Sequence, residues 1–223
     1  MIVKNISKGN IAAVLAAVKK YVEKYDAPVL ERFHYKTHDP YWVLIPCILS
    51  LRAKDEATSI VSEDLYRRAP TPEEVLKIPL KEMEQIVYKT GFYHVKAKNV
   101  LNITKIILDK YNGKVPSSLD ELLTIPGVGR KTANLVVTVA FNKPGICVDT
   151  HVHKICNRWG YVSTKNPDAT ELKLREILPE KFWIKINYWL VLFGQNICLS
   201  VSPFCSKCPV FGYCPRIGVK TSR

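Results

Sequence analysis

One lysine and one aspartate have a spacing and surroundings suited to covalent chemistry. Lys131 follows the run Pro-Gly-Val-Gly-Arg, and Asp149 comes 18 residues later. A lysine can attack a sugar carbon and form a Schiff base when its amine is uncharged. The start of a helix and the neighbouring Arg130 both disfavour a cation at Lys131, so we expect its pKa to lie below the usual value of about 10.4.

The residues before this lysine predict a turn between two helices. Gly127 and Gly129 can both adopt positive φ, and the sequence favours one helix over residues 119–124 and another from about Arg130. The amides around Val128 and the N-terminus of the second helix are suited to holding a phosphate oxygen. A tight helix-to-helix turn without any ligand explains the same residues, and both interpretations stay open.

Asp149 precedes Thr-His-Val and a predicted helix that runs to Gly160. Its ordinary role would be to cap that helix, because aspartate is a favoured N-cap residue. A carboxylate at this point can also stabilise positive charge that develops on a sugar and can move protons. Taken alone, the residues favour the capping role.

Four of the seven cysteines crowd into the last 26 residues with x6, x2 and x5 spacing. They are Cys198, Cys205, Cys208 and Cys214. Four thiolates this close can surround a zinc ion or an iron–sulfur cluster. Zinc sites usually use two close pairs, and only one pair here has the x2 spacing, so the pattern favours the cluster.

Composition gives the broad class. The chain has 223 residues and a formal net charge of +13, which favours a polyanionic partner. It contains no run of about 18 apolar residues and no apolar signal core, so we expect no membrane span or export. The other cysteines, Cys47, Cys147 and Cys156, lie in apolar surroundings and read as core residues rather than disulfide partners.

The helical periodicity runs through the whole chain. An amphipathic stripe is predicted over residues 10–25, and the wholly apolar segment YWVLIPCILSL predicts a buried central helix. Further capped or amphipathic helices follow, and the aromatic helix over residues 180–197 should pack in a core. No convincing alternating strand pattern occurs, which predicts an all-α fold.

The motifs IPGVGRKTAN and VDTHVHKICNR resemble the signature of the endonuclease III family, which belongs to a superfamily of helix-hairpin-helix DNA glycosylases. The resemblance extends over about residues 39–215. It implies a two-domain all-α fold: a six-helix domain over residues 33–143, and a discontinuous cluster domain over residues 1–32 and 144–223.

The resemblance also implies site roles. Lys131 is expected to be the nucleophile and Asp149 the second catalytic group, while the cysteine spacing matches a [4Fe–4S] loop. The cluster is expected to be structural, with a redox role as the alternative. The residues expected to contact DNA are Arg52, Phe92, Gly127, Val128, Gly129, Arg130, His151 and Lys207.

Two of these positions depart from the family pattern. The family has a glutamine where this chain has Arg52, and an aliphatic wedge where it has Phe92. Arginine can hydrogen-bond an orphaned base and phenylalanine can stack, so both can fill the gap left by a flipped base. Alternatively, Arg52 binds a phosphate and Phe92 packs.

The expected activity is that of a base-excision DNA glycosylase with abasic-site lyase activity. It would remove oxidised pyrimidines from double-stranded DNA, with abasic sites as further substrates, and would act as a cytoplasmic, nucleoid-associated monomer. A monofunctional mismatch or adenine glycosylase is the first alternative. A non-enzymatic DNA-binding or redox-sensing iron–sulfur protein is the second.

Overall fold

The computed structural model describes residues 6–27 and 36–223, and every regular element in these ranges is helical. The all-α prediction is therefore confirmed. In chain order the α-helices are α1 (Ile11–Val22), α2 (Tyr41–Ser50), α3 (Asp55–Arg68), α4 (Pro72–Lys77), α5 (Leu80–Val87), α6 (Tyr93–Tyr111), α7 (Leu119–Leu123), α8 (Arg130–Phe141), α9 (Thr150–Arg158), α10 (Pro167–Ile177) and α11 (Trp183–Asn196). Within the described ranges, no helix has the length and apolarity needed to cross a membrane.

The chain divides into two compact units. The central unit is Val29–Lys143, and the terminal unit combines Met1–Pro28 with Pro144–Arg223. The predicted domain limit at residues 32 and 33 lies outside the described residues.

Helix α2 forms the middle of the central unit. Its residues Tyr41–Leu49 are all buried, as the wholly apolar sequence predicts. Asp39 starts the helix by accepting a hydrogen bond from the amide of Tyr41 at 2.8 Å. Helices α3, α6 and α8 pack against α2. These four helices share one apolar core. Because the core holds α2, α6 and α8 in place, the surface turns at their ends are held in place as well.

The shorter helices of this unit begin where the sequence supplies caps. Thr71 and Glu74 form a reciprocal capping box at α4, and the Ser118 hydroxyl accepts a hydrogen bond from the Glu121 amide at α7. A 3₁₀ turn, Tyr88–Thr90, joins α5 to the turn before α6. Helix α6 starts at Tyr93 and is the longest helix of this unit among the described residues.

The terminal unit has its own core. The predicted stripe of α1 is buried, and α1 and α9 both pack against the aromatic helix α11. Phe193 is fully buried, and the other aromatic residues of this segment pack around the core as predicted. After α11 the chain folds into a loop with two 3₁₀ turns, Cys205–Lys207 and Phe211–Tyr213, and this loop carries all four clustered cysteines.

Candidate active site, DNA-contacting turns and cysteine loop

The turn between α7 and α8 has the predicted helix-hairpin-helix form. Gly127 adopts φ +90°, a conformation that is strained for residues with a side chain, so a glycine is required there. Gly129 differs from the expectation, because its φ is −89°. It serves instead as the N-cap of α8, and the space where its Cβ would lie is open. Its lack of a side chain therefore leaves the start of α8 accessible.

One amide of the hairpin points inward, contrary to the prediction. The N–H of Val128 donates to the carbonyl of Ile125 at 3.0 Å, and the Val128 side chain is buried. Val128 therefore shapes the turn rather than offering a donor. The anion-binding potential shifts to the first turn of α8, where the N–H groups have no carbonyl one turn earlier in the helix.

Lys131 is the second residue of α8, and both it and Arg130 are half-buried. The first turn of α8 contains no acidic residue, and Gly129 provides no side-chain cap. The positive end of the helix dipole therefore acts on this position. The lowered pKa of Lys131 stays a prediction.

Asp149 caps α9 in the terminal unit. Its Oδ1 accepts hydrogen bonds from the amides of His151 and Val152, both at 2.9 Å. The ordinary interpretation of this aspartate is thus confirmed. The Oδ2 atom takes no part in these two bonds, so capping and a catalytic role are compatible. The cap fixes the carboxylate at the helix start, as a positioned acid or base requires.

The His151 ring is held against α11. The space that a Cβ on Gly194 would fill is occupied by the imidazole, with Cγ at 2.8 Å from the Cβ position. No other residue type fits at position 194 without moving the ring. His151 is half-buried rather than freely exposed, so any contact it makes with DNA comes from a fixed orientation.

Arg52 and Phe92 lie together on the surface of the central unit. The Arg52 guanidinium carbon is 5.6 Å from the centre of the Phe92 ring, within cation–π range. Phe92 is 61% exposed, so it does not pack into the core as the alternative interpretation proposed. Both residues also have positive φ, 54° and 49°. Strained backbone at two exposed side chains within cation–π range of each other is typical of functional turns.

A buried lysine, which we did not predict, lies beneath these turns. Lys96 is 4% exposed, and its Nζ donates to the carbonyls of Leu49 at 2.8 Å and Thr90 at 2.7 Å. Burial lowers its pKa to about 8. The sequence contained a signal for it, because Lys96 continues the apolar stripe of α6 formed by Val100, Ile103 and Ile107.

The four predicted cysteines line one cavity in the terminal unit. The other walls are largely apolar and include Trp159, Phe193 and Phe204. The Arg158 guanidinium reaches the same place and donates to the Cys198 sulfur at 3.3 Å and the Leu199 carbonyl at 2.7 Å. Sequence reasoning missed this arginine.

The donor set of this cavity fits a metal cluster. Burial raises the pKa of the Cys208 thiol to about 12, so thiolates there need compensating positive charge, which iron would supply. As placed, no three His, Cys, Asp or Glu side chains in the described parts of the chain are arranged to hold a metal ion. Lys207 is exposed on the same loop, 5.7 Å from the centre of the Phe204 ring.

Comparisons with known proteins show the family of this chain. Residues 45–180 match the model of the HhH-GPD superfamily of base excision DNA repair proteins. Endonuclease III of Thermotoga maritima is 42% identical over 195 residues, which cover 86% of this chain and 92% of that protein. The chloroplastic endonuclease III homolog 2 of Arabidopsis thaliana is 39% identical over 92% of this chain, which spans 58% of that longer protein.

A solved structure of a trapped endonuclease III–DNA covalent intermediate, an estranged-adenine complex, superposes with a TM-score of 0.85. The match is 34% identical and covers 95% of this chain and 97% of that one. The chain therefore belongs to the endonuclease III family, within the HhH-GPD superfamily.

Proposed function

We propose that this protein is a bifunctional base-excision enzyme, which removes damaged pyrimidines from duplex DNA and then cleaves the strand at the abasic site. The observation that carries the proposal is the placement of Lys131 directly after an open, glycine-bearing hairpin, in a chain 42% identical to an endonuclease III. A bare helix-hairpin-helix DNA-binding protein has no need of Lys131 and Asp149 together.

In the proposed reaction the uncharged Lys131 amine attacks C1′ of the damaged nucleotide. The N–C1′ bond forms as the glycosidic bond breaks, and the base leaves with its bonding electrons and takes up a proton. Ring opening gives a Schiff base between Nζ and C1′. Loss of a C2′ proton then expels the 3′ phosphate, which nicks the strand 3′ to the lesion. Water releases the enzyme.

Asp149 has two tasks in this proposal. Its Oδ1 is occupied by the cap, and its carboxylate charge stabilises the positive character that builds on the sugar. The carboxylate also transfers protons during ring opening and elimination. Because the cap fixes its position, little reorganisation is needed when charge develops.

The DNA-binding surface combines backbone and side-chain groups. Gly127, Gly129 and the first turn of α8 hold a phosphate, with Arg130 adding charge. His151 contacts the DNA from its fixed place on α9. Arg52 and Phe92 fill the space vacated by the flipped nucleotide. Lys207 meets phosphates from the cysteine loop.

The cysteine loop holds a [4Fe–4S] cluster through Cys198, Cys205, Cys208 and Cys214. The 2+ core of the bound cluster would offset half of the negative charge of the four thiolates and would fix the loop, which gives the cluster a structural role. We further propose that the central unit is the six-helix domain and the terminal unit the cluster domain. The enzyme acts as a monomer in the reducing compartment that contains the DNA.

Duplexes that each carry one defined lesion test the proposal. Purified holoprotein is expected to release oxidised pyrimidines and to leave nicked strands without added alkali. Base release that needs alkali for nicking would identify a monofunctional glycosylase instead. Binding without base release would identify a non-enzymatic DNA-binding protein.

A further inference from the structure

The side chain of Lys96 joins two separate turns of the central unit. Its ammonium donates one hydrogen bond to the Leu49 carbonyl, near the end of α2, and one to the Thr90 carbonyl, at the end of the 3₁₀ turn. Its own backbone N–H donates to the carbonyl of Phe92 at 3.1 Å. Both the main chain and the side chain of Lys96 therefore hydrogen-bond to the turn that contains Phe92.

The carbonyls of Leu49 and Thr90 each precede one residue of the cation–π pair by a few positions. Leu49 is three residues before Arg52, and Thr90 is two residues before Phe92. Both turns contain residues with positive φ: Arg52 in the first, and Gly91 and Phe92 in the second. Such turns are costly to hold in one conformation unless the surrounding structure fixes them. Lys96 supplies a fixed point common to both.

We propose that Lys96 is a positioning residue, which ties the two turns together so that Arg52 and Phe92 already form a cation–π pair before DNA binds. This inference rests on the proposed function, in which that pair fills the gap in the duplex. Lys96 itself does not touch DNA. Because it fixes both turns in the free protein, DNA binding does not have to include the entropy cost of ordering them.

The chemistry of a lysine explains why this position is not apolar. Among the described residues, Lys96 pairs with no carboxylate, and its partners are two carbonyls from different turns. A methionine would fill the same space but could hold neither carbonyl. A buried charge is an expensive way to pack a core, and such groups can be retained because they specify one arrangement.

The test measures how well the protein distinguishes a gapped duplex from an intact one. The ratio is the Kd for undamaged duplex divided by the Kd for the same duplex with one tetrahydrofuran abasic analogue. Lys96→Met should lower this ratio by about tenfold, the size expected for losing hydrogen bonds to a charged group. Arg52→Ala with Phe92→Ala should lower it similarly. Adding Lys96→Met to that double variant should then have no further effect.

The ratio is unaffected by partial unfolding, because a smaller active fraction weakens both affinities equally. Lys105→Met, at an exposed lysine on the same helix, is the matched control and should keep the wild-type ratio. If methionine prevents folding, Lys96→Gln serves, since its shorter chain cannot span both carbonyls and should also lower the ratio.

An unchanged ratio in folded Lys96→Met or Lys96→Gln would overturn the inference. So would an equal drop in the background that lacks Arg52 and Phe92. Failure of the proposed function looks different, because the wild-type protein would then show no preference for the abasic analogue at all.

Discussion

The imidazole of His151 occupies the space that a side chain on Gly194 would need, so α9 and α11 meet at this point through a ring and a bare backbone. Alanine normally stabilises a helix relative to glycine by about 1 kcal/mol. At position 194 the same substitution should destabilise the protein, because the added Cβ would overpack the core, which typically costs about 1–3 kcal/mol.

Gly194→Ala should therefore lower the free energy of unfolding and reduce activity by displacing His151. Urea unfolding and strand-nicking assays measure the two effects. Gly9→Ala is the control, because Gly9 lies outside the proposed site and a Cβ there would make only an ordinary contact, 3.8 Å from Ser7 Oγ. Equal behaviour of the two variants would show that the His151 ring is not held by Gly194.

Substitutions of Asp149 separate its capping role from its catalytic one. Asp149→Asn keeps an oxygen that can accept from the amides of His151 and Val152, so stability should change little. Activity should fall by two orders of magnitude or more, about the typical contribution of a positioned acid or base.

Asp149→Ala should lose the cap as well, at a cost of about 1 kcal/mol in the free energy of unfolding. Thermal or urea unfolding measures the stability of the two variants, and single-turnover kinetics measure their activity. If Asp149→Asn retained wild-type rates, the aspartate would be only a helix cap.

The buried ammonium of Lys96 predicts a distinctive pH dependence of stability. Its pKa is lowered to about 8 in the folded protein and returns to the usual 10.5 on unfolding. Between these values the unfolded chain binds more protons, so the free energy of unfolding contributed by this group rises with pH. The charged form destabilises the fold below pH 8.

Wild type should therefore gain about 1–2 kcal/mol relative to Lys96→Met between pH 8 and 9.5. Urea unfolding of both proteins at the two pH values provides the measurement, and other titrating groups cancel in the difference. A parallel pH response of the two proteins would place the Lys96 pKa outside this window.

Replacing one of the four clustered cysteines should remove the cluster. Cys205→Ser is expected to lose iron, inorganic sulfide and visible absorbance together, because the cube requires four thiolate ligands. Cys47→Ala is the control: Cys47 is buried in the central unit and should not affect metal content. A Cys205→Ser protein that kept four irons per chain would contradict the proposed ligand set.

Much of the fold follows from local signals in the sequence. The apolar segment of α2, the stripe of α1 and the helix expected over residues 119–124 each predicted a helix close to its observed limits. These features depend on neighbours one turn away, which the sequence displays directly.

The missed features depend on long-range contacts. Lys96 bonds to a residue 47 positions away, and Arg158 to sulfur 40 positions away. Val128 turned inward and Gly129 took an ordinary φ, because only Gly127 has to reverse the chain at the hairpin. The cation–π contact between Arg52 and Phe92 likewise required the coordinates, since no local pattern relates those two turns.

Borohydride reduction during turnover tests the central claim most directly. Wild-type protein mixed with a lesion-containing duplex should form a covalent protein–DNA adduct, because the reagent reduces the Schiff base to a stable amine. Lys131→Gln, folded and still able to bind the duplex, should form none. An adduct that persisted in Lys131→Gln, or no adduct from a wild-type protein that releases the base, would contradict the assignment of Lys131 as the nucleophile.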